Sequence, residues 1–153
     1  MQTRHAPGTP GSSERRMRIH SDYMTIQTKD KREYLNITPN IRAAVEKSGI
    51  RDGIVLISSL HSNSALFIND EEPGLLQDIT EWADRLAPFG PDYHHSPRSE
   101  SNAGAHLQSL LLHHQALVTL ADGKLELGPW QNVIYAELDG QRPKRILIKI
   151  LGE

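Results

Sequence analysis

Three histidines are candidates for metal binding or catalysis, because imidazole side chains can do both and because of their predicted positions: His61, His95 and His106. His61 lies just past the end of a predicted buried strand, His95 in a long loop, and His106 in the first turns of a predicted helix. Neutral imidazoles that converge from a strand, a loop and a helix suit a divalent ion such as zinc, with one coordination position left open. Their wide spacing matches no compact zinc motif, so ordinary surface or hydrogen-bonded histidines are the alternative interpretation. His61, His95 and His106 are therefore candidate metal ligands, and His106 is also a candidate catalytic residue.

The helix that carries His106 offers a second candidate feature at its start. Asn102 is predicted to cap this helix, and free backbone N–H groups at a helix N-terminus bind phosphate well. The next three residues are Ala103, Gly104 and Ala105, which are small enough to let a ligand approach the backbone. They also fit an ordinary first helical turn, and that alternative stays open.

Further polar residues are candidates to support such a site. Asp78 lies one residue from the apolar face of a predicted helix, so it is either an exposed acid or a carboxylate that points toward the histidines. Trp130 either lines a pocket or fills the core. Together with the residues above, the candidates are Asp78, Asn69 and His106 for catalysis, and Asn102, Ala103, Trp130 and Gln131 for ligand binding.

Hydrophobic periodicity predicts the elements that position these residues. We predict helices from Thr38 to Gly49, from Pro73 to Pro88, and from Asn102 through Leu110. The predicted strands are 24–28, 32–37, 53–60, 65–69, 115–120, 124–127, 130–138 and 145–151. Three hairpins are expected, and they join the first two strands, the strands around Asp122-Gly123, and the last two strands. Strand 53–60 is a continuous apolar run that predicts burial on both faces.

These elements predict an α+β fold with mostly antiparallel, sandwich-like sheets and two or three helices. Residues 1–22 are rich in glycine, proline and serine and cannot bury enough surface to offset the entropy of ordering. We therefore expect a disordered N-terminal tail over 1–22 and a single domain over 23–153.

Composition excludes several function classes. The 153 residues carry a formal net charge of -2, which argues against a general nucleic-acid partner. The absence of cysteine excludes disulfides, thiolate catalysis and cysteine zinc sites. No apolar run approaches the roughly 20 residues that span a bilayer, and no secretory h-region opens the chain. A cytoplasmic protein without a membrane partner is expected.

The motifs, taken in order, resemble those of the YjbQ family, which is also called the secondary thiamine-phosphate synthase family. The resemblance covers roughly residues 24–153. In chain order the matching residues are His61, Ala65, Asn69, Asp78-Ile79, Tyr93-His94-His95, Asn102 through Leu107, Leu120 through Leu125, Leu127 through Gln131, and Leu151-Gly152-Glu153.

This resemblance implies an α+β sandwich-like domain that assembles as a homotrimer. It implies a pocket at His61, His95 and His106 that holds a divalent metal or an anion. It also implies a weak activity on small phosphorylated metabolites. In that reaction hydroxymethylpyrimidine diphosphate condenses with thiazole phosphate to give thiamine phosphate and pyrophosphate.

The chain departs from the family pattern at several positions. Ser62 and Asn63 replace two threonines, Asp70 replaces a glutamate, and Pro129 replaces a threonine. Gln108 stands where the family has a lysine, which would remove a phosphate contact. Three hypotheses follow: a metal-assisted transferase, a non-catalytic protein that binds metal or phosphometabolites, and a structural assembly protein.

Overall fold

Eleven helices and strands make up the described part of the computed structural model, which covers residues 16–90, 93–95 and 102–153. They are β1 (Arg18–Ile26), β2 (Glu33–Asn36), α1 (Thr38–Ser48), β3 (Gly53–Ser59), β4 (Ser64–Asn69), α2 (Pro73–Leu86), α3 (Ala103–Leu112), β5 (Gln115–Ala121), β6 (Lys124–Leu125), β7 (Asn132–Glu137) and β8 (Lys144–Gly152). One antiparallel sheet has the order β1-β8-β3-β5-β6, and a second has the order β2-β7-β4. The predicted α+β class is confirmed.

The core is built around the smaller sheet, whose central strand β7 is buried on both faces. Tyr135 belongs to the main core, which also holds Ile41 of α1 and Ile148 of the larger sheet. Ala136 points the opposite way and packs in a second cluster with Ala105 of α3. The smaller sheet therefore lies between the larger sheet and the helices that carry the predicted site.

The helices begin and end close to the predicted positions. Gly49 ends α1 in the left-handed conformation with φ of 65°, and Glu72 caps α2 by accepting from the N–H groups of Gly74 and Leu75. Thr38 is the first residue of α1 and not its cap. No helix in the described part of the chain is long and apolar enough to cross a membrane.

Two of the three predicted hairpins are wrong, and for the same reason. The β5–β6 hairpin is confirmed, but β1 pairs with β8 and β2 pairs with β7. The chain thus crosses between sheets after β1 and again after β7. These crossings pack on each other: Gly140 N donates to Lys31 O at 3.0 Å, and a Cβ on Gly140 would come within 2.4 Å of Thr28 Oγ1. Alternation of apolar and polar residues with a period of two identifies a strand, but it does not identify the strand with which it pairs.

The predicted N-terminal tail is too long. β1 begins at Arg18, and its backbone pairs in register with β8 as far as Gly152. Residues 18–22 therefore belong to the fold, because pairing with β8 satisfies their backbone hydrogen bonds. The rest of the predicted tail up to residue 15 lies outside the described residues.

The outer face of the larger sheet carries an apolar surface that no described element covers. Strand β3, predicted as buried on both faces, buries Val55 and Ile57 completely but leaves Ile54 39% exposed. Cross-strand pairing sets further apolar side chains on the same face. We call this the outer apolar face, and its residues are Ile19, Tyr23, Ile54, Leu56, Leu117, Leu147 and Leu151.

Candidate functional site

The first turn of α3 meets the loop that joins β3 to β4. His106 Nδ1 lies 3.1 Å from the carbonyl oxygen of Ser62. Because a carbonyl only accepts, Nδ1 must carry the proton of this imidazole. Nε2 of His106 makes no hydrogen bond within the described residues, so it is available to a ligand.

Asn102 connects this helix start to the crossing between β7 and β8. Its Nδ2 donates to Asp139 Oδ2 at 3.0 Å, which fixes the orientation of the amide because an ionised carboxylate only accepts. Asn102 Oδ1 then faces His95 Nε2 at 3.2 Å. That nitrogen of His95 must therefore carry a proton.

His95 and His106 form a pair. Their ring centroids are 5.0 Å apart and the rings are nearly perpendicular, at 83°. His95 is exposed and His106 is half-buried. The structure thus brings together two of the three predicted histidines with Asn102, and Ala103, the next residue, is buried.

Asp139 is the centre of the polar network beside this pair. Its Oδ2 accepts from Asn63 at 2.9 Å, from Asn102 at 3.0 Å and from Arg142 at 2.6 Å. Burial alone would raise the pKa of Asp139, but the hydrogen bonds from both asparagines and the charges of Arg142 and Lys144 outweigh it and lower the pKa. Asp139 is therefore ionised and holds the two asparagine side chains in place.

A buried ion pair, formed by Lys144 and Glu137, lies next to this network and supports it. Lys144 and Glu137 are 3% and 0% exposed, and their side chains are in contact. Glu137 also accepts from Tyr135 at 2.8 Å and from the backbone N–H of Asp139 at 3.0 Å. Lys144 reaches the carbonyl oxygen of Asn63 at 3.2 Å. The pair therefore fixes the backbone on both sides of the Asn63–Asp139 contact.

His61 lies on the same loop but is held differently. Its Nε2 accepts the backbone N–H of Arg145 at 2.9 Å. Burial and the nearby positive charge of Lys144 lower the pKa of His61 from 6.5, so the neutral ring is favoured. Its Nε2 lone pair is occupied by this contact.

The fit of a metal ion can be tested on these positions. A zinc ion needs three or four donor atoms that converge at about 2.0–2.3 Å. Among residues 16–90, 93–95 and 102–153, no group of three or more histidine or carboxylate side chains is placed to hold a metal ion. The three-histidine ligand set is not assembled in this arrangement, and the metal site stays a prediction.

Three other predicted site residues lie at the opposite end of the smaller sheet. Asn69 ends β4 and pairs with Asn132, whereas the histidine loop precedes Ser64 at the start of the strand. Five strand residues separate these ends by about 17 Å. Trp130 is 73% exposed at the Asn69 end, and the neighbouring Gln131 accepts from the backbone of its own turn.

Asp78 is also separated from the histidines. It is exposed on α2, whose last residues approach the start of α3. A Cβ on Gly104 would lie 2.9 Å from the carbonyl of Pro88, so the two helices meet there. Asp78 precedes Ala87 by nine residues, or about 13 Å along the helix axis. Asp78 is therefore an exposed acidic residue on a helix, which was the alternative interpretation of the sequence.

Gln108 does not face the histidine pair. It is completely buried and donates to Ala87 O and Asp84, both at 2.9 Å. It also accepts from Arg32 Nη2, and Arg32 Nη1 donates to both carboxylate oxygens of Asp84. Gln108 therefore joins α3 to α2, and the loss of a phosphate contact at this position stays a prediction.

Asp139, Asn63 and Arg142 are site residues that no sequence pattern indicates. The sequence predicts a hairpin between the last two strands, and in such a hairpin Asp139 would be a solvent-exposed turn residue. Its role depends on the crossing between the sheets, which brings it to Asn63 and Asn102 from distant parts of the chain.

Fold and site together define a two-sheet α+β protein with an exposed histidine pair at a helix start, held by a buried polar network. The model of the family described as UPF0047 protein YjbQ-like matches residues 22–153, and the chain belongs to that family. A UPF0047 protein of Archaeoglobus fulgidus is 41% identical over 128 residues, which are 84% of this chain and 98% of the relative. One of Methanothermobacter thermautotrophicus is 36% identical and covers 90% of this chain and 95% of its own length.

Solved structures share the fold. A YbjQ-like protein of unknown function from Sulfolobus solfataricus superposes with a TM-score of 0.85 at 35% identity, covering 90% of this chain and all of that one. A hypothetical protein from Aeropyrum pernix gives a TM-score of 0.82 at 27% identity, covering 88% of this chain and 99% of that one.

Proposed function

We propose that the protein is a transferase for small phosphorylated metabolites, with the activity that the resemblance implies: thiamine phosphate formation. The observation that carries the proposal is the exposed pair of His95 and His106, whose tautomers are set by Asn102 and Ser62. Because these contacts hold the two rings in place, the Nε2 atom of His106 has a fixed direction at the helix start, where its imidazolium form suits the oxygens of a diphosphate.

This reaction requires that the protein neutralise the charge of the leaving pyrophosphate and orient the thiazole nitrogen. The bond between the pyrimidine methylene carbon and the diphosphate oxygen breaks, and its electron pair leaves with pyrophosphate. The thiazole nitrogen then donates its lone pair to that carbon and forms the new C–N bond. His106 in its imidazolium form donates to the diphosphate through Nε2, and Arg142 adds charge to the rim of the site, while Asn102 holds the His95 ring in place through Nε2. No step is assigned to a metal ion.

Non-catalytic binding of a phosphorylated metabolite is the second candidate function. It is favoured by one observation: Asp78 and Asn69, the residues predicted to assist catalysis, lie away from the histidine pair. The nearby carboxylate of Asp139 is committed to Asn63, Asn102 and Arg142. A site whose nearby carboxylate is fully committed lacks a carboxylate base, and this favours binding of an anion over catalysis.

We also propose the homotrimer that the resemblance implies. Its support is the outer apolar face, where Ile19, Tyr23 and Leu117 are 68%, 54% and 58% exposed. An exposed cluster of apolar side chains of this kind is characteristic of protein–protein contact.

Purified protein incubated with hydroxymethylpyrimidine diphosphate and thiazole phosphate tests the catalytic proposal. Thiamine phosphate and pyrophosphate should appear together, and His106→Gln should lower the rate at least tenfold because one tuned donor is lost. The matched control is His114→Gln, which changes an exposed histidine beyond α3 and should leave the rate unchanged. An equal rate in wild type and His106→Gln would contradict the proposal.

The binding alternative predicts a different outcome. Wild type would form no thiamine phosphate, yet calorimetry would detect pyrophosphate binding that His106→Gln weakens. Elemental analysis of the same samples tests the predicted divalent metal directly.

A further inference from the structure

A cleft on the far side of the molecule lies between α1 and the β5–β6 turn. Its volume is about 610 Å³, within the range of small-molecule sites. One wall is a single stripe of α1 at positions i, i+3, i+4 and i+7, formed by Arg42, Val45, Glu46 and Gly49. The other wall is the turn 122–125. We call this the α1 cleft.

The charges of the α1 cleft are predominantly positive. Arg42, Arg51 and Lys124 line it against only Glu46 and Asp122. In the part of the chain that the structure describes, neither Arg42 nor Lys124 forms an ion pair. Arg51 lies 3.8 Å from Asp122, and both side chains are largely exposed, so this pair is weak. The cleft therefore presents Arg42 and Lys124 without an ion pair and Arg51 with a weak one, and all three can turn toward an anion.

The cleft also has an apolar wall. Val45 and Ile50 are buried at its base, and Leu125 is half-buried beside them. Gly123 has φ of 74°, and a Cβ there would meet nothing closer than Arg51 Nη1 at 4.0 Å. An apolar or planar group can therefore lie against the base while its anionic part faces the cations.

We propose that the α1 cleft binds a nucleotide, with the phosphates against Arg42, Arg51 and Lys124 and the base against Val45 and Leu125. Glu46 and Asp122 are the acceptors for ribose hydroxyl groups. The volume holds a nucleoside diphosphate, and its charge complements the three cations.

This site is separate from the histidine pair. The α1 cleft adjoins the Gly53 end of β3, whereas His61 follows Ser59 at the other end. The seven residues of β3 span about 20 Å. Ligand binding in the α1 cleft therefore does not depend on the histidine pair.

Calorimetry with ADP, adenosine and pyrophosphate tests the proposal on the whole protein. ADP should bind the wild type more tightly than either fragment does, because each fragment lacks one half of the contacts. The double variant Arg42→Glu/Lys124→Glu should weaken ADP binding at least tenfold. Both side chains are exposed, so the variant should fold normally, as circular dichroism checks.

Two controls separate this site from nonspecific charge and from the histidine pair. Lys29→Glu/Arg85→Glu makes the same change in net charge elsewhere on the surface and should leave ADP affinity unchanged. His106→Gln should also leave it unchanged. Absence of ADP binding, equal binding of pyrophosphate and ADP by the His106→Gln protein, or equal loss in either control would overturn the proposal.

Discussion

The side chain of Asn102 turns away from the helix that it precedes and donates to Asp139, 37 residues along the chain. It makes no capping hydrogen bond to α3, whereas Glu72 caps α2 with its carboxylate. Asp139 thereby decides which atom of Asn102 faces His95, and so which nitrogen of His95 carries a proton. Asp139 is a positioning residue that acts on the histidine pair through Asn102.

Replacing Asp139 should therefore disturb the site more than it disturbs the fold. In Asp139→Ala, the amides of Asn63 and Asn102 lose their common acceptor, at an expected cost of about 1–3 kcal/mol in unfolding free energy. The His95 resonances should shift in an NMR spectrum because its partner Asn102 is no longer oriented. Glu126→Gln removes an exposed carboxylate as a control and should change neither quantity. Unshifted His95 resonances in Asp139→Ala would contradict the positioning role.

The buried pair of Lys144 and Glu137 should be sensitive to loss of one partner. Lys144→Met leaves the Glu137 carboxylate buried without its cation, at a cost of about 3–5 kcal/mol. The double variant Lys144→Met/Glu137→Gln should recover part of that loss, because the uncompensated charge is gone. Urea unfolding of both variants measures the difference. A double variant no more stable than the single one would show that the charge is not the cause.

The elements of the fold could largely be predicted from the sequence, but their partners could not. Local rules located α2 between Pro73 and Pro88 and the turn at Asp122-Gly123, because proline, glycine and apolar spacing act within a few residues. Pairing of β1 with β8 joins residues 118 to 134 positions apart, and no local pattern encodes it.

The candidate site, like the fold, could be predicted from the sequence only in part. His106 and Asn102 lie on one helix start and could be grouped by spacing. Asp139 could not be added, because its place depends on the crossing between the sheets. Asn69 was expected near the histidines, but β4 carries it to the opposite end of the sheet.

His61 should make stability depend on pH near neutrality. Its pKa in the folded protein lies below the ordinary 6.5, so the unfolded state binds the proton more readily. Stability is therefore complete above pH 6.5 and falls as the pH drops toward the folded pKa. Urea unfolding at about pH 7.5 and about pH 5.5 should show this loss for wild type and a smaller one for His61→Gln. Identical losses would assign the effect to another group.

Gln108→Lys introduces the lysine that the resemblance implies at this position, and it should not improve the proposed activity. The side chain is buried between Asp84 and Arg32, so a lysine there pairs with the first and repels the second. We expect thiamine phosphate formation to stay within about twofold of wild type, since RT ln 2 is only about 0.4 kcal/mol. A tenfold gain would show that position 108 reaches the substrate after all.

The outer apolar face should govern assembly. Leu117→Lys places a charge on an exposed position of β5, on the same face as Leu56 and opposite it in register. If copies of the chain meet there, burying that charge is costly and the assembly should dissociate toward the 17.2 kDa monomer in light scattering. Leu110→Lys is the matched control, because Leu110 is even more exposed, at 74%, but lies on α3. Dissociation by Leu110→Lys and not by Leu117→Lys would move the interface from the sheet to the helices.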